Sequence, residues 1–92
     1  MILLITYDLR GPSTGYTSLY EYLKSHNGWS HYIASTWLID TDKTPNQVVN
    51  DIKPYLQEGD NLLVVRFAKP YQGWMPKRVW KWIAKHITNK ET

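Results

Sequence analysis

The chain has 92 residues, 42% of them apolar and 14% aromatic, which is typical of one small globular domain and excludes a disordered segment. It contains no cysteine, so disulfide bonds and thiolate zinc sites are excluded. The net charge of +3 is unevenly distributed, with four Lys and Arg against seven Asp and Glu in residues 1–65, and seven against one in residues 66–92. The basic final third predicts an anionic partner that acts there, with a solvated lysine-rich helix as the alternative.

The apolar start of the chain, MILLI, is five residues long. This is too short for the apolar region of a signal peptide or for a membrane span, and no basic segment precedes it. We therefore expect a protein of the cytoplasm without a membrane partner.

The first predicted elements are a strand and a helix. Residues 2–7 form an apolar run without alternation, which is typical of a strand buried on both faces at the centre of a sheet. After a turn-rich loop, Ser18 and Glu21 have the spacing of a capping box and predict the start of a helix. Asn27-Gly28 predicts its end.

Residues 29–41 are β-prone, and both alternating sets of side chains are partly apolar. We therefore expect a sheet that is covered on both sides. A βαββαβ order needs two strands in this segment, but no Asn-Gly or Asp-Gly turn divides it. The segment is either two strands with a tight bend near Ala34-Ser35 or one long bent strand.

The clearest local signal is the sequence Thr44-Pro45-Asn46-Gln47. Thr44 is a good N-cap, Pro45 suits the first helical position, and Gln47 can complete a capping box. Pro54 should break the last turn of this helix, because proline lacks the N–H group and clashes one turn back. Residues 61–67 (NLLVVRF) then predict the final strand.

A loop over residues 68–76 and a helix over residues 77–87 are predicted to follow. The resulting order of elements predicts an α+β fold, a ferredoxin-like βαββαβ sandwich with an added C-terminal helix. We expect residues 1–67 to form the core, and residues 68–92 to form a basic, aromatic loop and helix of the same domain.

Several short motifs resemble those of a known family of small ferredoxin-like proteins. A strand ending in Tyr-Asp, a helix and a Ser-x-aromatic strand occur in the nuclease family of CRISPR spacer acquisition, and here they read Tyr7-Asp8 and Ser35-Thr36-Trp37. The chain is also similar to a branch of SinR-like proteins. These share the same opening, a Thr-Pro-x-Gln-Val helix start, and a Pro-Tyr-x-Gly-Trp segment before a helix containing tryptophan. In this chain the last three features lie at residues 44–48, at residues 70–74, and at Trp80 and Trp82.

The resemblance implies a homodimer in which the two sheets are brought together. In the CRISPR family, one aspartate per protomer faces its twin and can hold a divalent metal. The resemblance implies that Asp8 has this position here. The chain departs from that family at its C-terminus, where the family adds a strand that crosses to the partner and a helix is predicted here.

Asp8 is the only acidic residue placed at a strand end beside a loop. Because Mg²⁺ prefers carboxylate oxygens, a pair of Asp8 side chains at a dimer seam can hold one metal and activate water for phosphodiester hydrolysis. The structural alternative is that Asp8 accepts N–H bonds within the loop that follows it. No second acid stands at a spacing that completes a metal site within one chain.

The segment from Ala68 to Arg78 is a Gly/Pro-rich loop that runs into a helix start. Unpaired N–H groups and the positive end of the helix dipole favour anions there, although Lys77 and Arg78 are unfavourable in the first turn of an isolated helix. A phosphate bound by this basic pair explains their presence, and Tyr71 and Trp74 can stack on a base. The alternative is that both aromatic residues pin the loop to the core while the basic pair is solvated.

The sequence thus favours a homodimeric binding protein for a phosphate-bearing ligand, either a small nucleotide or a nucleic acid. Tyr71, Trp74, Lys77, Arg78 and Arg10 are the predicted ligand-binding residues, and no cofactor is required. With a small nucleotide, the protein would sequester or sense a signal. The alternatives are a Mg²⁺-dependent endonuclease built on paired Asp8, and a structural subunit of a nucleic-acid complex.

Overall fold

The computed structural model describes residues 1–87, so residues 88–92 of the predicted C-terminal segment lie outside the described residues. Four strands and three helices occur in this part of the chain. They are β1 (Ile2–Asp8), α1 (Thr17–Lys24), β2 (Gly28–Ile33), β3 (Thr36–Asp40), α2 (Pro45–Ile52), β4 (Asn61–Phe67) and α3 (Lys77–His86). Short 3-10 helices lie before α1, at Ser13–Tyr16, and after α2, at Lys53–Tyr55.

The four strands form one antiparallel sheet in the order β2-β3-β1-β4. The fold is therefore α+β. Strand β1 lies inside the sheet, and its residues Ile2, Leu3 and Ile5 have no exposed surface. The prediction of a central strand from an apolar run without alternation is confirmed, because a strand with a helix layer on each face buries both sets of its side chains.

The two faces of the sheet carry separate apolar clusters. On the α1/α2 face, helices α1 and α2 bury the main core together with the following residues of the sheet and the loop: Leu3, Ile5, Tyr16, Trp37 and Ile39. On the α3 face, α3 buries a smaller cluster through Val79 and Ile83, which pack on Ile2. On the α3 face, the expected cover extends only over the part of the sheet that lies beneath α3. Leu63 and Val65 of β4, on the same face, remain 58% and 40% exposed.

The β-prone segment 29–41 is two strands and not one. They are joined by a turn at Ala34-Ser35, and β1 secures this turn because the backbone N–H of Tyr7 donates to the carbonyl oxygen of Ser35 at 3.1 Å. The pairing of β2 with β3 shifts register between Ser30 and Ile33. The turn itself consists of the two residues between the paired Ile33 and Thr36.

The predicted capping box at Ser18 and Glu21 is wrong. Helix α1 begins at Thr17, directly after a 3-10 turn, and its N-cap residue Tyr16 makes no side-chain cap hydrogen bond. Tyr16 is 1% exposed, and its hydroxyl donates to the carboxylate of Asp60, with distances of 2.9 and 2.8 Å to the two oxygens. A tertiary anchor therefore sets where this helix starts.

The predicted start of α2 is confirmed. The N–H of Gln47 donates to Thr44 Oγ1 at 3.2 Å, and the N–H of Thr44 donates to Gln47 Oε1 at 2.9 Å, with Pro45 as the first helical residue. The α-helix ends at Ile52, and Pro54 lies in a 3-10 turn, as expected for a residue without an N–H group. Because both signals are local, the sequence alone reveals them.

Candidate ligand-binding site

The loop between β4 and α3 crosses the α3 face of the sheet and forms a groove there. The groove has a volume of about 290 Å³, and its lining is mainly apolar. Its walls come from the loop and helix residues Tyr71, Trp74, Met75, Val79, Trp80 and Ile83, and its floor comes from the strand residues Leu4, Leu38 and Phe67. This apolar concavity contains two of the predicted ligand residues, Tyr71 and Trp74, so it is the candidate site.

Three aromatic rings pack in a row from the floor of the groove to one wall. The ring centroids of Phe67 and Tyr71 are 4.6 Å apart, and those of Tyr71 and Trp80 are 6.3 Å apart with an angle of 13° between the ring planes. The indole N–H of Trp80 donates to the carbonyl oxygen of Met75 at 3.1 Å, which ties the helix to the loop. Tyr71 thus pins the loop to the core and also lines the groove.

Trp74 lies at the mouth of the groove and is fully exposed, with a relative accessible surface of 101%. A tryptophan of this exposure contributes nothing to the core, and its large apolar surface is unfavourable in water. The interpretation that Trp74 pins the loop is therefore wrong. The indole ring is available to a ligand that enters the groove.

Basic side chains lie at the rim of the groove, on the first turn of α3. The guanidinium carbon of Arg78 is 5.1 Å from the ring centroid of Tyr32, a residue of β2 that also lines the groove. Lys77 is exposed beside it, and the N-cap residue of the helix, Pro76, makes no side-chain cap hydrogen bond. The positive end of α3 and the guanidinium of Arg78 therefore lie at one rim of the groove.

Arg10 does not belong to this group. Arg10 follows the last residue of β1, Asp8, which pairs with Asn61 of β4. The groove loop begins after Phe67, which pairs with Ile2 at the opposite end of β1. Of the five predicted ligand residues, Tyr71 and Trp74 line the groove and Arg78 contacts Tyr32 of its lining, whereas Arg10 lies at the other end of the sheet.

Asp8 is exposed and forms an ion pair with Arg10, with 3.4 Å between Oδ2 and Nη2 and side-chain exposures of 65% and 62%. It borders a shallow cleft of about 330 Å³ with Tyr7 and Tyr20 among the lining residues. Among residues 1–87 there is no group of three or more His, Cys, Asp or Glu side chains that could hold a metal ion.

The acidic residue that organises the neighbouring loops is Asp60. Its carboxylate accepts the backbone N–H groups of Arg10 and Gln57, each at 2.7 Å, in addition to the hydroxyl of Tyr16. Partial desolvation of this carboxylate opposes ionisation, but the three donated hydrogen bonds outweigh it and hold the pKa of Asp60 below its usual value. The loop-stabilising role that the sequence suggested for Asp8 is thus taken by Asp60.

A second aromatic cluster surrounds Trp37 on the α1/α2 face. His31 stacks on Trp37 with 3.9 Å between ring centroids, and the indole N–H of Trp37 donates to the hydroxyl of Tyr7 at 3.0 Å. Burial raises the pKa of Tyr7, although the hydrogen bond from Trp37 partly opposes this effect. This cluster is part of the core, so the number of aromatic residues in the sequence reflects both packing and the groove.

The sequence did not indicate Tyr32 or Met75 as lining residues. Tyr32 is 49% exposed and reaches the groove because α3 lies across β2. The packing of α3 on the sheet is a long-range contact, and no local pattern specifies it. Trp80 and Trp82, which cannot share one helix face, are both half-buried on the two sides of the Val79 and Ile83 stripe.

Comparisons with known protein families, with curated proteins and with solved structures found no match to this chain. Within residues 1–87, no helix has the length and apolar character needed to cross a bilayer.

Proposed function

We propose that the protein is a dimeric binding protein for a phosphate-bearing ligand that carries a base, such as a small nucleotide or a single-stranded nucleic acid. The observation that carries the proposal is the position of Trp74, fully exposed at the mouth of an aromatic groove whose rim is the basic first turn of α3. An exposed indole beside cations suits a ligand that has both a flat apolar ring and negative charge.

The groove supports stacking of one base. Its volume of about 290 Å³ is near the lower end for small-molecule sites, and the aromatic rings of Tyr71 and Trp80 lie nearly parallel on one wall. Stacking of a base on an aromatic side chain contributes roughly 1–3 kcal/mol. A ring that enters beside Trp74 also removes exposed indole surface from water.

The rim supports binding of the phosphate. Contact with the ring of Tyr32 orients the guanidinium of Arg78, so less side-chain freedom is lost when it binds an anion. Arginine can donate two parallel N–H groups to a phosphate, and Lys77 adds a second positive charge. A bound phosphate also explains why two cations occupy the first turn of a helix, where the dipole otherwise makes them unfavourable.

The fold is proposed to be ferredoxin-like with α3 as an addition. Support comes from the element order βαββαβ before α3 and from the antiparallel order β2-β3-β1-β4, in which α1 and α2 each join two strands that are not neighbours. The resemblance to SinR-like proteins agrees with this proposal. It also motivates the homodimer, as does the exposed apolar surface of β4.

Binding is tested by calorimetric titration of the purified protein with cyclic dinucleotides, linear dinucleotides and a single-stranded oligonucleotide. Trp74→Ala is expected to weaken binding by roughly 5–150-fold, which corresponds to the loss of about 1–3 kcal/mol of stacking. Because Trp74 is fully exposed, the melting temperature without ligand should not change. Trp29→Ala is the matched control, since Trp29 is 41% exposed but packs near Trp37 and not in the groove.

The arginines provide a second matched pair. Arg78→Ala should weaken binding of every phosphate-bearing ligand, whereas Arg10→Ala, at the opposite end of the sheet, should leave binding unchanged. Affinity for an extended nucleic acid should fall steeply with salt because counterions are released, and affinity for a small nucleotide should fall less. If none of these ligands releases heat or raises the melting temperature, the proposed function is wrong.

A further inference from the structure

The outer edge of β4 has the features of a pairing surface. In the described residues, β4 pairs with β1 only, and all seven of its residues are in unbroken register with that strand. It contains no proline and no bulge, which are common means of protecting an edge strand. Its two most exposed apolar side chains, Leu63 and Val65, lie beside each other on the α3 face of the sheet.

The other edge of the sheet is protected. Strand β2 is irregular between Ser30 and Ile33, and α3 packs against it so closely that the ring of His86 lies over Gly28. A bulge opposes pairing with another strand. Within residues 1–87, β4 is therefore the edge strand without such an irregularity.

The sequence of β4 is self-complementary about its central residue, Val64. In antiparallel pairing with a second β4 centred there, Leu63 lies opposite Val65 of the partner subunit, and Val65 opposite Leu63 of the partner subunit. These four exposed apolar side chains then form one cluster on one face of a continuous sheet. Arg66 lies opposite Leu62 of the partner subunit, so no like charges face each other directly.

Charge also favours the antiparallel arrangement. Glu58 and Asp60 precede β4, while Arg66 and Lys69 lie at its end and just after it. Antiparallel pairing places the acidic end of one strand beside the basic end of the other. Parallel pairing places like charges together.

We propose that two copies of this chain associate through antiparallel pairing of their β4 edges, centred on Val64, to form a continuous eight-stranded sheet. The interface is isologous, as expected for a two-fold dimer. It places both grooves on the same face of the joined sheet. This inference rests on the dimer in the proposed function and names its interface, but it does not depend on ligand binding.

Cysteine cross-linking tests the register, and the absence of cysteine from the chain makes single substitutions unambiguous. Residues directly opposite each other have Cα atoms about 4.5–5.5 Å apart, within disulfide range, whereas diagonal neighbours are about 7–8 Å apart. An equal mixture of Leu63→Cys and Val65→Cys chains should therefore form disulfide-linked dimers under mild oxidation far faster than either variant alone. Ile33→Cys, on β2 and 50% exposed, is the matched control and should remain monomeric on denaturing gels.

The oligomeric state tests the interface itself. Light scattering is expected to give twice the 10.9 kDa mass of one chain for the unmodified protein, and the single-chain mass for Leu63→Lys/Val65→Lys. Ile33→Lys should remain dimeric. Circular dichroism and the melting profile show whether each variant is folded, and the cross-linking result stands even if the double-lysine variant does not fold.

A monomeric unmodified protein, or cross-linking of Leu63→Cys alone as fast as the mixture, overturns the proposal. Ligand affinity is measured separately, so a failure of dimerisation is distinct from a failure of the proposed function.

Discussion

Gly28 of β2 lies against the ring of His86 of α3. We predict that Gly28→Ala destabilises the protein when His86 is present and stabilises it when His86 is replaced by alanine. A Cβ atom added at Gly28 would lie 2.6 Å from Cε1 of His86 and 3.1 Å from both ring nitrogens. The ring cannot move aside without loss, because its Nδ1 lies 2.8 Å from Oδ2 of Asp40 and its face packs on Trp82, with ring centroids 4.4 Å apart. Gly28→Ala should therefore displace the end of α3 from the sheet.

The magnitude follows from opposing contributions. Overpacking costs about 1–3 kcal/mol, and loss of the bond between His86 and Asp40 adds about 0.5–1.5 kcal/mol where the ring must move far enough to break it. Alanine in place of glycine restricts the unfolded chain and contributes about 0.4–1 kcal/mol of stability, because Gly28 does not have positive φ. We expect a net loss of about 1–2 kcal/mol, which is roughly a 4–8 °C lower melting temperature for each kcal/mol.

The contact is isolated by repeating the substitution in a His86→Ala background. Without the ring there is no clash, so Gly28→Ala should then stabilise the protein by about 0.4–1 kcal/mol. Urea unfolding followed by tryptophan fluorescence measures the free energy of unfolding for all four proteins of the cycle. Equal effects of Gly28→Ala in both backgrounds would refute the reasoning, since the cost would then not arise from His86.

Two further predictions concern local features of the fold. Thr44→Ala should reduce the free energy of unfolding by about 1 kcal/mol in thermal melts, because the N–H of Gln47 loses its acceptor; an unchanged melting temperature would contradict this. Desolvation and, to a lesser extent, the nearby Lys43 lower the pKa of His26, whose Nε2 is buried and has no hydrogen-bond partner among the described residues. As the pH falls below about 6.5, the unfolded chain takes up a proton that folded His26 does not, so stability is full above that pH and declines below it. Between pH 7 and 5, the free energy of unfolding should decline less in His26→Asn than in the unmodified protein. An identical decline in both proteins would show that other groups cause it.

The elements that could be predicted from sequence are those with local causes. The start of α2 is an example, because its capping box joins residues three apart and Pro45 already has a suitable φ. The central position of β1 is another, since only a strand covered on both faces is apolar without alternation. The start of α1 could not be predicted in this way, because Tyr16 is anchored by Asp60, which lies 44 residues further along the chain.

The candidate site shows the same division. Its aromatic and basic residues lie within one segment of the sequence, so the sequence alone predicts Tyr71, Trp74, Lys77 and Arg78 together as ligand residues. The sheet register places the fifth predicted ligand residue, Arg10, at the other end of β1.

What the sequence by itself determined about this protein is its class of fold, most of its element boundaries, and the segment that carries exposed aromatic and basic side chains. Only the tertiary structure decided which face of the sheet that segment crosses, that Trp74 is exposed while Tyr71 is packed, and that β4 is an edge strand of the sheet formed by residues 1–87. The reason is physical. Caps, turns and periodicity depend on neighbours a few residues away, whereas exposure and strand order depend on contacts between distant residues, and those form only when the whole chain has folded.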